Sequence, residues 1–253
     1  MNKAWVFRTV AMLALIPGFA PAQNARQIMI EVENRTRSRT EYYDGSLEVI
    51  NSSQKITRKR WQYDRLGAYG NSRSALRFVA PPEVKGVALL VINHPDRASD
   101  QWMWIPAQER DRRIALQDRS TRFFGTDFSF EDLEERDIDQ YDYKLSGDDT
   151  VDDAPCWKIE SHPRDGKTSQ YTSSILWVRK DRYFLVRTDN FNRDRLIRQI
   201  TYRDVESIDG IWTARTVAVL DTTRNSQTLL TLDKVKYNLP MRDADFTREN
   251  LSK

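Results

Sequence analysis

From residue 25 to about 37 the apolar residues Ala25, Ile28, Met29 and Val32 recur at spacings of three and four, with Glu31, Glu33, Arg35 and Arg37 off that stripe. This period predicts one amphipathic helix. Beyond it strand signals dominate. Residues 47–50, the turn Asn51-Ser52-Ser53 and residues 56–63 read as a hairpin, and further strands are expected at 75–79, 87–93, 101–105 and 112–116. The segment 123–147 breaks the pattern, with many acids and few β-branched residues. A helical turn or two is expected near 129–135, where Ser129 followed three residues later by Asp132 makes an N-cap with acids in the first turn. Residues 148–153 read as a loop. Strands then return at 156–161, 169–179, 183–190, 195–205, 211–220 and 227–237, and a short helix is expected after Asp243.

Strands near ten residues joined by short turns predict a strongly curved antiparallel sheet or barrel. Their faces are not cleanly split. Ile197, Thr201 and Val205 share one face with Gln199 and Arg203, while Ile200 and Tyr202 lie opposite. Apolar residues on both sides call for a core on one face and a partial cover on the other. No internal repeat or low-complexity linker divides the chain, so residues 23–253 are expected to form a single domain.

The first residues belong to a different category. Lys3 and Arg8 precede an apolar run from Val10 to Ile16, and Ala20-Pro21-Ala22 follows. This is the pattern of a signal peptide, residues 1–22, cleaved after Ala22. The apolar run is well short of the ~20 residues that span a bilayer. No cysteine follows the cleavage site closely, which argues against an N-terminal lipid anchor. Lys3 and Arg8 are the only charges in the segment, so of 40 Lys plus Arg and 37 Asp plus Glu the processed chain keeps a nearly even balance. Such a balance gives no clustered basic footprint for nucleic acid. Cys156 is the sole cysteine, so the chain cannot form an internal disulfide, and between Pro155 and Trp157 it reads as a small buried apolar residue.

The usual reactive constellations are missing. His94 and His162 are the only histidines, each beside a proline in a turn, and no H-x-x-x-H or H-E-x-x-H pair occurs. Neither a G-x-S-x-G elbow nor a glycine-rich phosphate loop is present, so nucleotide chemistry is not expected. Ser161, His162 and an aspartate could be combined into a hydrolase triad, but a chain this acidic would offer such a set by chance. Asp137, Asp139 and Asp142 sit in a run that lacks the glycine a calcium loop needs at its sixth position. No metal, no cofactor and no enzymatic activity are expected.

Aromatic surface is the remaining feature. Trp102-Met103-Trp104-Ile105 places its two tryptophans on one face of a strand and Met103 and Ile105 on the other. The run RFFGTDFSFEDL then packs Phe123, Phe124, Phe128 and Phe130 among Asp127, Glu131 and Asp132, and Trp177, Phe184, Tyr202 and Trp212 follow. By composition alone these rings fit a plain core at least as well as a binding surface. Lipid would suffice as a ligand, because each buried methylene contributes ~0.8 kcal/mol and a chain of about sixteen carbons gains on the order of 10 kcal/mol before ordering costs.

The runs RFVAPPEVKGVALLVI (77–92), DQWMWIPAQERDRRIAL (100–116) and FFGTDFSFEDL, with the later Leu176-Trp177-Val178 and Asp209-Gly210-Ile211-Trp212, resemble the outer-membrane lipoprotein-sorting proteins, the LolA-like periplasmic carriers. The similarity spans nearly the whole processed chain. It implies a mainly β fold with a few α-helices, a half-open curved antiparallel β-barrel of LolA/LolB type covered by lid helices. The implied function is a monomeric periplasmic carrier that binds lipid or lipoprotein acyl chains and moves them from inner to outer membrane, with an inner-membrane RND-type transporter as partner. The alternative is an envelope regulatory or scaffolding module on the same fold that senses lipid and binds a protein partner. Expected cavity or lid contacts are Trp102, Trp104, Phe123, Phe124, Phe128, Phe130 and Trp177. Arg112 and Arg113 are candidates to hold the lid by pairing with Asp127, Glu131 or Asp132, although separate solvated charges explain them equally well.

Overall fold

A computed structural model describes residues 24–252. The signal-peptide segment, 1–22, lies outside the described residues. One α-helix, α1 (Ala25–Thr36), opens the chain, with the Asn24 side chain accepting from the Gln27 amide as its N-cap. Its stripe of Ala25, Ile28, Met29 and Val32 is buried, as the spacing predicts.

Thirteen strands follow: β1 (Thr40–Ile50), β2 (Ile56–Ala68), β3 (Asn71–Ala80), β4 (Ala88–Ile92), β5 (Asp100–Ile105), β6 (Arg110–Arg113), β7 (Tyr141–Val151), β8 (Ala154–Pro163), β9 (Ser173–Arg179), β10 (Phe184–Asn192), β11 (Arg195–Ile208), β12 (Ile211–Asp221) and β13 (Ser226–Tyr237). They form one antiparallel sheet in the order β6-β5-β4-β3-β2-β1-β13-β12-β11-β10-β9-β8-β7. β6 and β7 are its two free edges, so the sheet does not close.

That order has a topological consequence. The chain meanders outward from β1 to one edge at β6, crosses to the opposite edge at β7, and meanders back until β13 pairs with β1. Residues 114–140, which include the phenylalanine-rich run, are this crossing. They contain three single turns of 3-10 helix, Leu116–Asp118, Glu131–Leu133 and Ile138–Gln140. The expected lid helices are therefore corrected: among the described residues the sheet is covered by α1 and by this irregular crossover. The Ser129/Asp132 capping signature is real, with the Ser129 amide donating to Asp132 at 2.7 Å and the Asp132 amide donating to Ser129 Oγ at 3.2 Å, but the turn it starts is a single 3-10 turn.

Two further expectations change. Residues 141–151, read as an acidic segment running into a loop, form the edge strand β7, paired along its length with β8. Most of its side chains are exposed, and an edge strand with solvent on both faces needs no apolar alternation. The segment after Asp243 holds two 3-10 turns rather than a helix, and lays Phe246 and Leu251 against Ala88 and Leu90 on the outer face of β4.

The inner face carries the main core. Phe78, Leu89, Val91 and Met103 from β3, β4 and β5 pack with Phe123 and Phe130 of the crossover, and Leu47, Val49 and Trp61 join them from β1 and β2. On the returning half α1 covers Ile159, Leu176 and Val178. Where β1 meets β13 the register shifts at Gly45, and a Cβ there would sit 2.0 Å from the Thr231 carbonyl oxygen. Backbone on backbone cannot yield cheaply. Gly45→Ala is expected to cost about 1–3 kcal/mol, read as a lower urea midpoint. An unchanged midpoint would mean that the two strands do not approach this closely.

Candidate functional site

Strand alternation brings alternate residues of the central strands to the same inner face. Across β2, β1 and β13 this stacks Tyr63, Tyr43 and Val235 in one row and Trp61, Gly45 and Leu232 in the next. Leu230 and Val217, paired across β13 and β12, and Ile200 of β11 extend the surface into the returning half. Phe128 and Leu133 of the crossover cover it from above. Tyr43, Tyr63, Trp61, Leu232, Leu230, Val217 and Ile200, with these two, line an open cavity of about 410 Å³ between the two halves of the sheet.

The wall is mostly apolar and its phenols are neutral. Burial pushes the Tyr43 and Tyr63 hydroxyls up and holds Tyr202 at about 12. Tyr43 and Tyr63 stack with centroids 5.6 Å apart, and the Tyr237 hydroxyl lies 2.6 Å from Thr213 Oγ1. One pole is polar. Arg65 donates to Ser38 Oγ at 2.9 Å and to Glu41 at 2.5 Å, while Glu135 stands 3.6 Å away, too far for a hydrogen bond. Arg65 Nη1 is therefore buried with no hydrogen-bond partner. Burial raises the Glu135 carboxyl, against the pull of Arg65 and of Ser72, which donates to it at 2.6 Å.

The residues expected at a site do not converge. Phe128 lines the cavity. Phe123 and Phe130 lie beneath it as core, 2% and 5% exposed, and Phe124, with φ of 43°, is half-buried on a separate shallow pocket beside Arg112. Trp102 and Trp104 occupy the outer face with the C-terminal segment, where Arg113 and Arg248 stand over the Trp102 ring. Trp177 points to the face opposite Leu176 and Val178, packs with Cys156 and Val186, and donates to Asp149 at 2.8 Å. Tyr43, Tyr63, Arg65, Leu230 and Leu232 were not singled out. Their period of two was visible, but nothing in it shows which face is enclosed.

The carboxylates of the crossover are structural clamps. Asp127, fully buried, accepts from Ser226 at 2.5 Å and Thr228 at 2.7 Å on β13 and pairs with Arg122. Asp132 pairs with Arg198 of β11 at 2.6 Å and accepts from the Tyr171 hydroxyl at 2.7 Å. Glu131 accepts from the Gln170 amide at 2.9 Å and from Ser169. Glu134 pairs with Arg119 at 2.6 Å and accepts from Gln101 of β5 at 2.9 Å. The lid pairing considered for Arg112 and Arg113 is thus corrected. Arg112 binds Asp118 at 3.0 Å and Arg113 binds Asp100 at 2.6 Å, because register places both on edge strand β6, on the far side of β5 from the returning half.

Catalytic and metal chemistry gain no support. His162 is exposed beside Glu160 at 2.8 Å, and His94 lies 3.0 Å from Asp100. Asp137, Asp139 and Asp142 disperse, Asp139 toward Arg26 and Asp142 toward Arg164. No group of three metal-ligating side chains occurs among the described residues. Cys156 is buried, and burial raises its thiol.

Two measurements check these assignments. Asp132→Ala removes the nearer of the two counter-ions of Arg198, 3% exposed, leaving only Asp221 at 3.6 Å, and is expected to cost about 2–3 kcal/mol by denaturant unfolding, below the full cost of an unpaired buried charge; a solvated ion pair would cost less than about 1 kcal/mol. Glu33, near the C-terminal end of α1, has its carboxyl pushed up to about 7, chiefly by burial and further by Asp137, with Arg37 opposing. The folded state therefore holds this proton more tightly than the unfolded chain. Stability from this group is greatest below pH 4.5 and falls as pH rises toward 7. Glu33→Gln should flatten that fall and stabilise the protein at pH 8 by on the order of 2 kcal/mol, and an unchanged pH profile would place Glu33 in solvent.

A family model described only as an uncharacterized protein matches residues 70–253. No curated protein matches the sequence. Among solved structures, the outer membrane lipoprotein-sorting protein domain of Vibrio parahaemolyticus superposes with a TM-score of 0.85 at 24% identity, covering 90% of this chain and 98% of that one. A DUF1329 family protein from Desulfovibrio piger gives 0.85 at 27% identity, over 89% and 97%. A LolA superfamily protein from Nitrosomonas europaea gives 0.73 at 18% identity, over 90% and 99%. The overall fold is thus shared with these structures. The chain belongs to the family that this model defines, and it shares its fold with the outer membrane lipoprotein-sorting protein domain, the DUF1329 protein and the LolA superfamily protein.

Proposed function

We propose that this protein is a non-catalytic periplasmic carrier, exported by the segment 1–22 and folded as one domain over 23–253. It binds the acyl part of a lipid or lipoprotein and moves it between inner and outer membrane, with an inner-membrane RND-type transporter as its source of cargo. The observation that carries this reading is the cavity of about 410 Å³ between the two halves of the sheet. It lies toward the lower end of the ~300–1,000 Å³ typical of small-molecule sites. The aromatic and aliphatic part of its wall offers an acyl chain the transfer free energy of hydrocarbon leaving water, while Glu41, Arg65, Asp132, Glu134 and Glu135 line its polar part. Arg65, which faces Glu41 and Glu135, and the Tyr63 and Tyr237 hydroxyls give the cavity a polar end for the headgroup side of an amphiphile.

Such a carrier needs no reactive group, and the acids that first drew attention in the phenylalanine-rich run are occupied in holding the crossover. Filling the cavity should abolish binding without unfolding the sheet. Val217 is half-buried on the wall, and Val217→Trp is expected to weaken a fluorescent fatty-acid probe by at least about tenfold, about 1.4 kcal/mol. Its melting temperature should stay close to wild type. Wild-type protein from its native envelope should also release lipid on solvent extraction, detected by mass spectrometry. A protein that carries no lipid and binds no acyl probe would remove the carrier reading.

A further inference from the structure

A second pocket, of about 440 Å³, lies at the end of the sheet where the β1–β2 and β12–β13 hairpin tips meet the crossover. Lys55 comes from the first tip, Arg224 from the second, and Arg122 from the crossover. Ser52, Thr57 and Ser226 add hydroxyls, and no carboxylate lines the pocket. Among the described residues neither Lys55 nor Arg224 forms an ion pair. Arg122 pairs with the buried Asp127 and lies 3.6 Å from the buried Asp221. Three basic residues therefore line a pocket that no carboxylate lines.

Both tips are held in place by their own bonds. Asn51 Oδ1 accepts from the Ser53 and Lys55 amides at 3.0 and 2.9 Å, and Asp221 Oδ1 accepts from the Thr223 and Arg224 amides at 3.0 and 3.1 Å. Arg122 is fixed by Ser226 at 2.8 Å and by Asp127, yet its Nε is buried without a partner. Burial and the neighbouring Arg224 both disfavour the Arg122 charge, with Asp221 opposing. Lys55 and Arg224 are the two basic groups here without a carboxylate partner among the described residues.

We infer that this pocket binds a phosphate-type anion, a tetrahedral group with several acceptor oxygens that Lys55, Arg122 and Arg224 meet together with the tip hydroxyls. Guanidinium forks pair bidentately with phosphate oxygens, the lysine adds a point charge, and the hydroxyls of Ser52 and Thr57 can donate to the oxygens that remain. The anion can come as a phospholipid headgroup or as free phosphate. The inference stands whether or not the central cavity holds lipid, since the two pockets share no lining residue.

The test compares the processed wild-type chain with the double variant Lys55→Gln, Arg224→Gln, and with a control, Lys234→Gln, Lys236→Gln, of equal net charge on another exposed stretch. Arg122 is left in place because it also anchors the crossover. Inorganic phosphate is titrated calorimetrically at low salt, and vesicles of phosphatidylglycerol or of phosphatidylcholine are pelleted with each protein. Phosphate binding at least about tenfold weaker in the double variant and retained in the control supports the site. If phosphatidylglycerol vesicles also pull down wild type but not the double variant, the source is a headgroup; equal pelleting by the two lipids marks free phosphate. Absence of phosphate binding by wild type, or binding equal in the double variant, overturns the inference even if anionic vesicles pellet the protein.

Discussion

The structure depends on one connection. Because the two meanders start and finish at the centre of the sheet, the chain must travel from edge strand β6 to edge strand β7, and the crossover of residues 114–140 makes that journey across the inner face. Left as a flexible loop it would fill the space between the halves at random. It is instead bolted by Gln101 on the outgoing half and by Arg198, Ser226 and Thr228 on the returning half, and braced internally by the Arg119–Glu134 pair.

These clamps are charged and buried, which is an expensive way to add stability. Two ions removed from water regain in pairing roughly what they lose in hydration, so such a pair contributes little compared with an apolar contact of the same shape. What it adds is position. Phe123 and Phe130 could pack against many parts of an oily sheet, whereas Asp132 can be satisfied only where Arg198 and Tyr171 wait for it. Apolar burial supplies the energy and the acids fix where the crossover lies. A cavity survives beneath it because the segment is pinned at a set height above Tyr43, Tyr63 and Leu230.

The same division explains the chemistry. Acids beside phenylalanines can look like a raised-pKa catalytic pair, but here each one already accepts hydrogen bonds or faces an arginine. Buried guanidinium nitrogens without a hydrogen bond occur among the clamps, at Arg119 and Arg198, and also at Arg65 beside the cavity and Arg122 beside the hairpin tips. A carrier site and an anion site are both places where the fold leaves something unsatisfied for a ligand to complete.

Much of this could be read from the chain before folding. Local period exposed α1 and most of the strands, since 3.6-residue and two-residue patterns are properties of neighbouring residues alone. The Ser129/Asp132 cap was legible for the same reason. β7 was not, because an edge strand exposed on both faces leaves no apolar signature, and neither was the absence of lid helices, because a crossover held by distant arginines needs no helical period. The site was the least legible part. Phe128 and Phe123 stand in one run of aromatic sequence, yet one meets the cavity and the other the core, while Trp102 and Trp104 face the outside of the sheet. Sequence spacing determines which side chains share a face. Which face becomes enclosed is decided by the path of the crossover, and that path is set by contacts between residues 33 to 101 positions apart, such as Gln101 with Glu134 and Asp127 with Thr228.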